Sequence, residues 1–358
     1  MKSIIVPIFI VLIILITIIF MPVFLPKRGL KKFTDNQLRQ TALSRNMLPV
    51  PKTYNKLLKL VNTKDNPMTK DKILLGKKLF NDTILSKDNT ISCASCHILK
   101  NGGADNLPTA IGYKGRANPF HLNTPTVLNA ALAKELNWDG SAKTVEIQAD
   151  GPLQAHFEMN SIPKTIVQKL KSNPYYSKEF KKIFTGGVSF ENVKKAIGAY
   201  ERTLLTRGSY DRFLEGDNNA ISKKAKKGFA LFINLGCKGC HTGMSVGGQS
   251  LQRFPLRQCA TIYETDCMSG NRVFPFKNIG GFLGKDNMQL FRVPILRNIA
   301  RTAPYFHNGI VKKLSKAVKI MAIHQIGVNL SKIQISEIVA FLKTLNGKIV
   351  DYNITSKE

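Results

Sequence analysis

Two short stretches have the residue types and spacing to do chemistry: Cys93-Ala-Ser-Cys96-His97 and Cys237-Lys-Gly-Cys240-His241. In C-x-x-C-H, two thiols lie one turn apart and an imidazole follows at once. A single turn can then add both sulfurs to the vinyl groups of a porphyrin and bring a ring nitrogen to the iron from one face. The chain has only six cysteines and six histidines, and shuffling so poor a set gives on the order of a thousandth of such a motif per chain. Two copies therefore predict two covalent c-type haems with His97 and His241 as proximal ligands. Zinc needs four ligands at each site, and a thioredoxin-like redox pair needs no trailing histidine, so neither accounts for the pattern.

Each iron has a second axial position, and its occupant separates electron storage from substrate chemistry. A thioether raises the potential, and for the second haem the candidate is Met321 in Ala317-Val-Lys-Ile-Met-Ala-Ile-His324, with His324 as its rival. An open position at the first haem would admit peroxide. A proton must then move from the near to the far oxygen, which asks for a carboxylate in a partly apolar pocket. Gly151-Pro-Leu-Gln-Ala-His-Phe-Glu158 offers Glu158, with Gln148 upstream and the lone tryptophan, Trp138, before it. On residue type alone, Glu158 reads as a surface acid and Trp138 as core.

The elements that must position these groups read as mainly α-helical. Asp71-Lys-Ile-Leu-Leu-Gly76-Lys-Lys-Leu79-Phe80 has apolar positions at helical spacing ahead of the first motif. Gly228-Phe-Ala-Leu231-Phe232 stands in the same relation to the second, and the shared Gly-x-x-Leu-Phe indicates an internal duplication. A last helix is expected from Ile335 to a closing Gly347. Segments 101–125 and 242–290 are rich in Gly, Asn and Pro and read as loops. The expected fold is two cytochrome-c-like haem domains with long loops, over 69–205 and 206–350, preceded by an N-terminal transmembrane helix within 1–27 and a tether over 28–68. The chain's 358 residues are ample for that.

The helix rests on Ile4 to Leu25, an uncharged apolar run long enough to cross about 30 Å of hydrocarbon. It ends without the small residues of a signal-cleavage site, so an uncleaved anchor is expected. Lys27, Arg28, Lys31 and Lys32 follow it and only Lys2 precedes it, which by the positive-inside tendency would put the body in the cytoplasm. Covalent c-type haem is attached outside the bacterial cytoplasm, and on that ground the body is expected in the periplasm, anchored to the inner membrane or free if the run is cleaved. The oxidising compartment would allow a Cys259–Cys267 disulfide. Lys and Arg total 53 against 23 acids, a formal charge of +30. These basic residues are spread along the chain with no nucleic-acid motif, so nucleic acid is not expected as a partner; an anionic lipid surface or an acidic redox protein is.

Taken together, the motifs resemble the bacterial dihaem cytochrome c peroxidases, relatives of the methylamine-utilisation dihaem enzymes, over roughly residues 70–347. The resemblance is carried by Leu75-Gly-Lys-Lys-Leu-Phe, the two haem motifs, Asn123-Thr-Pro-Thr-Val-Leu-Asn-Ala, Trp138-Asp-Gly, Gly151-Pro-Leu-Gln, Glu158-Met-Asn, Phe291-Arg-Val-Pro-Ile-Leu-Arg-Asn through His307-Asn-Gly, and Ala317-Val-Lys-Ile-Met321. It implies a peroxidatic N-terminal haem on Cys93, Cys96 and His97, with Glu158 as acid/base, Gln148 as its hydrogen-bonding companion and Trp138 between the haems. It also implies a high-potential C-terminal haem on Cys237, Cys240 and His241, with Met321 as sixth ligand, taking electrons from a small cytochrome c or cupredoxin. A Ca2+ would bind oxygens of Asn123, Thr302 and Pro304, His307 would sit beside a haem propionate, and a homodimer is common in such proteins. Where many relatives carry a histidine that blocks the peroxidatic iron, motif order here gives Tyr113. His121, nearby in a longer loop, replaces it as distal ligand, or Tyr113 is itself the ligand, or the site has none. A dihaem electron carrier or redox sensor, and an oxidase acting on a protein substrate, are the competing functions; Met321 speaks against the latter.

Overall fold

A computed structural model describes residues 30–256 and 274–354. Compactness divides the chain into 1–32, of which only residues 30–32 are described, and 33–358. The apolar run Ile4 to Leu25 and the cysteines Cys259 and Cys267 lie outside the described residues. Among the described residues, no helix is long and apolar enough to cross a membrane.

The unit from Phe33 onward is mainly helical. In chain order its helices are α1 (Asp35–Leu43), α2 (Tyr54–Val61), α3 (Lys70–Asn81), α4 (Cys93–Cys96), α5 (Val145–Gln154), α6 (Pro163–Ser172), α7 (Pro174–Ile183) and α8 (Phe190–Glu201), then α9 (Ser209–Leu214), α10 (Lys223–Asn234), α11 (Leu314–Met321) and α12 (Lys332–Thr344). The strands are three residues each and form two antiparallel ribbons. β1 (Thr206–Gly208) pairs with β4 (Gly347–Ile349), and β2 (Leu251–Arg253) with β3 (Leu290–Arg292).

The repeated Gly-x-x-Leu-Phe has a physical meaning here. α3 packs on α8, and α10 on α12. A Cβ at Gly76 would lie 1.9 Å from the Ala196 carbonyl oxygen of α8, and one at Gly228 would lie 1.8 Å from the Glu337 carbonyl oxygen of α12. Each glycine is therefore the point where two helix backbones touch. Four residues on, Phe80 and Phe232 are buried with their rings 6.5 Å from His97 and 6.1 Å from His241. The duplication thus repeats a device that sets each haem motif against its own helix pair. Two separate apolar cores correspond to the two halves, one built on α3, α6, α7 and α8 and the other on α9, α10 and α12.

The stretch 28–68 is not a tether in its folded part. Leu38, Ala42 and Met47 pack into the second core, and Val50, Leu57, Val61 and Met68 into the first. Thr34 and Gln37 form a capping box that starts α1, and the Thr53 hydroxyl caps α2. The segment is also pinned through polar contacts. Asp211, 1% exposed, accepts from the Val50 N–H and forms a two-pronged ion pair with the equally buried Arg297, which donates to the Leu48 and Met244 carbonyls as well. Gly347 does not close the last helix. α12 ends at Thr344, and Gly347 opens β4, where a Cβ would meet the Arg207 backbone at 2.6 Å.

Gly228→Ala should force α10 and α12 apart and cost about 1–3 kcal/mol of stability in urea unfolding of the haem-loaded protein. Gly186→Ala, where the nearest atom is 3.9 Å away, should cost far less. Equal effects would contradict the close-approach reading.

Candidate active site

The first haem motif forms a single helical turn, α4, at whose start the Ser95 hydroxyl accepts from the Ser92 N–H at 3.0 Å. The turn opens onto a cavity of about 380 Å³, lined by Cys93, Cys96 and His97 and also by Asn123, Trp138, Gln148 and Glu158. Residues separated by 65 positions (158 minus 93) and nominated from sequence are thus brought to one site. His97 Nδ1 lies 3.2 Å from the Gly103 carbonyl oxygen, a contact that holds the proton on Nδ1 and leaves Nε2 as a metal-binding atom. Burial holds the His97 pKa low, so the ring stays neutral. Burial also pushes Cys93 up to about 12 and Cys96 up to about 11. That is the reverse of the lowered thiol a disulfide-exchange pair requires. Among the described residues, no group of three or more His, Cys, Asp or Glu is placed to hold a metal ion. A large apolar-walled cavity, two thiols and a neutral, oriented imidazole fit a covalently held haem.

Glu158 sits half-buried in the cavity wall, and desolvation raises its pKa above the ordinary carboxylate range. Its backbone carbonyl accepts from the Tyr113 N–H at 2.8 Å, and a Cβ at Gly112 would clash with the Phe157 carbonyl at 2.2 Å. The loop 111–116 is therefore pressed on the segment that carries Glu158. Gln148 comes from α5, whose start is capped by Thr144.

Neither alternative distal ligand lines the cavity, although Phe120 and Leu122 beside His121 do. His121 has a left-handed backbone (φ +48°) and its Nδ1 lies 3.4 Å from the Thr109 hydroxyl. Tyr113 is buried under the cations of Lys114 and Arg116.

Trp138 joins the cavity to the second half. Its Nε1–H donates to the Asn123 carbonyl at 2.8 Å, the Asn123 N–H donates to the His307 carbonyl at 2.7 Å, and the Trp138 carbonyl accepts from the Arg292 N–H at 2.8 Å. The indole and the His307 imidazole meet edge to face at 6.4 Å. His307 is 2% exposed, stacked on Phe291 at 4.8 Å and bonded through Nε2 to Asn278 at 2.7 Å. Burial lowers its pKa to about 4. The Asn123 side chain donates to the Leu107 carbonyl at 2.6 Å, and Asn106 Nδ2 donates to the Arg301 and Ala303 carbonyls. The loops bearing Asn123 and Thr302–Pro304 are thereby tied together.

The second motif follows α10 through Gly236, which takes a left-handed φ of +87°. Desolvation holds the pKa of the half-buried His241 down to about 4, with the Val246 and Pro294 backbone only partly offsetting it. Its Nδ1 makes no hydrogen bond among the described residues. Burial raises Cys237 to about 11. Met321 ends α11, half-buried against an aromatic cluster that includes Phe254 and Phe274, and a π-helical turn, Ala322–Ile326, carries His324. α11 packs on α12, which in turn packs on α10. The donor set fits a second haem, with Met321 and His324 both in the same half.

Two cavity-related residues escape a reading of the sequence. Glu201, 6% exposed, lines the cavity, and burial followed by the Glu146 charge pushes its pKa up to about 8. The sequence signal is an acid at the C-terminal end of an amphipathic helix, where the dipole disfavours it. Arg292, 5% exposed, places its guanidinium 5.9 Å from the Trp138 ring centroid and donates through Nε to the Asn137 carbonyl. Burial lowers its pKa to about 10.

The profile of the Di-haem cytochrome c peroxidase family matches residues 70–219. The chain is 39% identical over 307 residues to cytochrome c551 peroxidase of Pseudomonas aeruginosa, covering 84% of each protein. It is 40% identical over 290 residues to the protein of the same name from Nitrosomonas europaea, covering 80% of this chain and 84% of the relative. Among solved structures, a MauG-like protein associated with microbial copper homeostasis superposes with a TM-score of 0.67 at 25% identity, over 82% of this chain and 93% of that one. With two C-x-x-C-H turns, a cavity beside the first and this similarity along most of its length, the chain belongs to the di-haem cytochrome c peroxidase family and carries the attachment points for two c-type haems.

Proposed function

We propose that the protein reduces hydrogen peroxide to two waters, consuming two electrons and two protons, in the periplasm. The observation that carries this is Glu158, a carboxyl with raised pKa on the same cavity wall as the Cys93-Ala-Ser-Cys96-His97 turn. Cys93, Cys96 and His97 would hold the haem, whose iron would supply the redox chemistry of O–O cleavage. Glu158 takes the proton from the near oxygen and returns it to the far oxygen, so that the leaving group departs as water and not as hydroxide. Gln148 orients the peroxide by hydrogen bonding, and the apolar wall keeps bulk water from competing. Cys237, Cys240 and His241 would hold the second haem, with Met321 as the thioether that would raise its potential, and a small cytochrome c or cupredoxin would supply electrons to that half. Trp138, fixed by Asn123 and Arg292, lies on the route between the halves. Support for a calcium ion held by Asn123, Thr302 and Pro304 comes from the way Asn106 and His307 bind those two loops to one another. His307, kept neutral by burial, would sit beside a propionate of the bound haem, as the resemblance implies. The apolar run Ile4 to Leu25 anchors the body to the inner membrane, and two copies of the chain associate as a homodimer, as the resemblance implies.

The placement of His121 and Tyr113 away from the cavity favours a peroxidatic site that needs no reductive opening. Fully oxidised protein mixed with peroxide and reduced donor should turn over without a lag, and His121→Ala should behave alike. A lag abolished by His121→Ala would instead make His121 the blocking ligand.

Glu158→Gln should lower kcat by about 10²- to 10⁴-fold with unchanged haem content. The base form of Glu158 is the working form and its pKa is raised. The wild-type rate should therefore fall as the pH drops through a value above the usual carboxylate range, and that limb should vanish in the variant. An unchanged rate and pH profile would overturn the assignment.

A further inference from the structure

We propose that the face formed by the first turns of α10 and α12 lies against an anionic lipid surface. Lys223, Lys224, Lys227 and Lys332 converge there on a cleft of about 530 Å³. All four are exposed, and among the described residues none of them forms an ion pair. Ile333, 72% exposed, lines the same cleft. The first turns of both helices lack an acidic residue, and Glu337 is the one acid of the cleft lining. Four unpaired like charges around an exposed branched apolar side chain repel one another and gain nothing from the fold, whereas an anionic headgroup layer would neutralise the lysines and admit the isoleucine.

The occupant is argued from where the chain enters the folded unit. Asp35, the first residue of α1, is ion-paired at 2.6 Å with Lys226, which lies between Lys224 and Lys227 in sequence. Only nine residues, 26 to 34, separate Asp35 from the apolar run ending at Leu25, a reach of about 30 Å when fully extended. Lys27, Arg28, Lys31 and Lys32 fall inside that stretch. A run held in the bilayer would therefore keep the lysine face within headgroup range. The same arrangement gives those four basic residues a role on the periplasmic side, against the positive-inside tendency. An electron donor is a poorer occupant: α10 is 12 residues long, so its lysine end is about 16 Å along the helix from the end that leads to Cys237. The face does not depend on the proposed anchor, because its charges and Ile333 are present whether or not the run is embedded.

The test uses the full-length, haem-loaded protein with lipid nanodiscs of phosphatidylcholine alone or with added phosphatidylglycerol, read by amide hydrogen exchange over 222–227 and 331–337. Exchange at these first-turn amides should slow with phosphatidylglycerol only. The slowing should be lost at high salt and in the K223E/K224E/K227E/K332E variant, whose haem absorption reports correct folding. Each lysine should contribute about fivefold to partition, and the four together several hundredfold, at low salt. If the run does not embed, binding to phosphatidylglycerol discs alone, lost in the variant, still supports the face while removing the anchor. Equal exchange with both lipids, slowing that survives in the variant, or slowing by soluble polyglutamate but not by phosphatidylglycerol would each overturn the proposal.

Discussion

The contact on which the haem architecture depends is backbone against backbone at Gly76 and Gly228. Any side chain at either position would overlap a carbonyl oxygen of the partner helix by well over an ångström, so the separation of α3 from α8 and of α10 from α12 is fixed by the absence of a Cβ. Because the phenylalanine four residues later is fixed with it, each proximal histidine finds an aromatic wall already in place. An interior this tightly packed has few alternative arrangements. The same solution appearing twice explains how one chain can build two sites of similar frame and different chemistry. The frame is common, and the two halves differ in what else they hold: a cavity with Glu158 beside the first motif, and the α11 segment with Met321 in the second half.

Between the halves, the connections include main-chain hydrogen bonds radiating from Trp138 and Asn123, supplemented by Arg292 over the indole. Such bonds hold an aromatic ring more rigidly than packing alone, since a rotation would leave buried N–H and C=O groups without partners. A second, purely structural tie is the Arg297–Asp211 pair. It gathers the segment before α2, the start of α9 and the loop after His241 around one buried guanidinium. Removing one member of such a pair leaves an uncompensated charge in the interior. The N-terminal segment is accordingly part of the haem-bearing body.

Much of this was legible in the residues. The haem motifs were plain because two thiols and an imidazole at fixed short spacing have few other uses, and the Gly-x-x-Leu-Phe repeat was visible as a pattern. Its purpose was not, because a close approach between helices 120 residues apart (196 minus 76) leaves no local mark. The folding of 33–68 was missed for a related reason. α1 and α2 are 9 and 8 residues long, too short to form on propensity alone, and they exist because Leu38 and Leu57 find cores assembled from distant sequence. Thr34 and Gln37 were the available clue. Gly347 was misread as a helix stop because glycine serves both helix ends and crowded strand pairs, and only the Arg207 backbone distinguishes the two. The carboxyl of Glu201 has its unusual environment solely through burial beside Glu146, which no spacing rule encodes.

The measurement closest to the central claim is the spin state of the two irons in half-reduced protein, followed by electron paramagnetic resonance and near-infrared magnetic circular dichroism. An open iron at the His97 cavity and a sulfur-ligated iron at His241 predict one high-spin and one low-spin centre; a sulfur-to-iron charge-transfer band from Met321 should be present in the fully oxidised protein and vanish on half-reduction, because that iron takes the first electron. Two low-spin centres in every redox state would contradict that division and leave a dihaem electron carrier in its place.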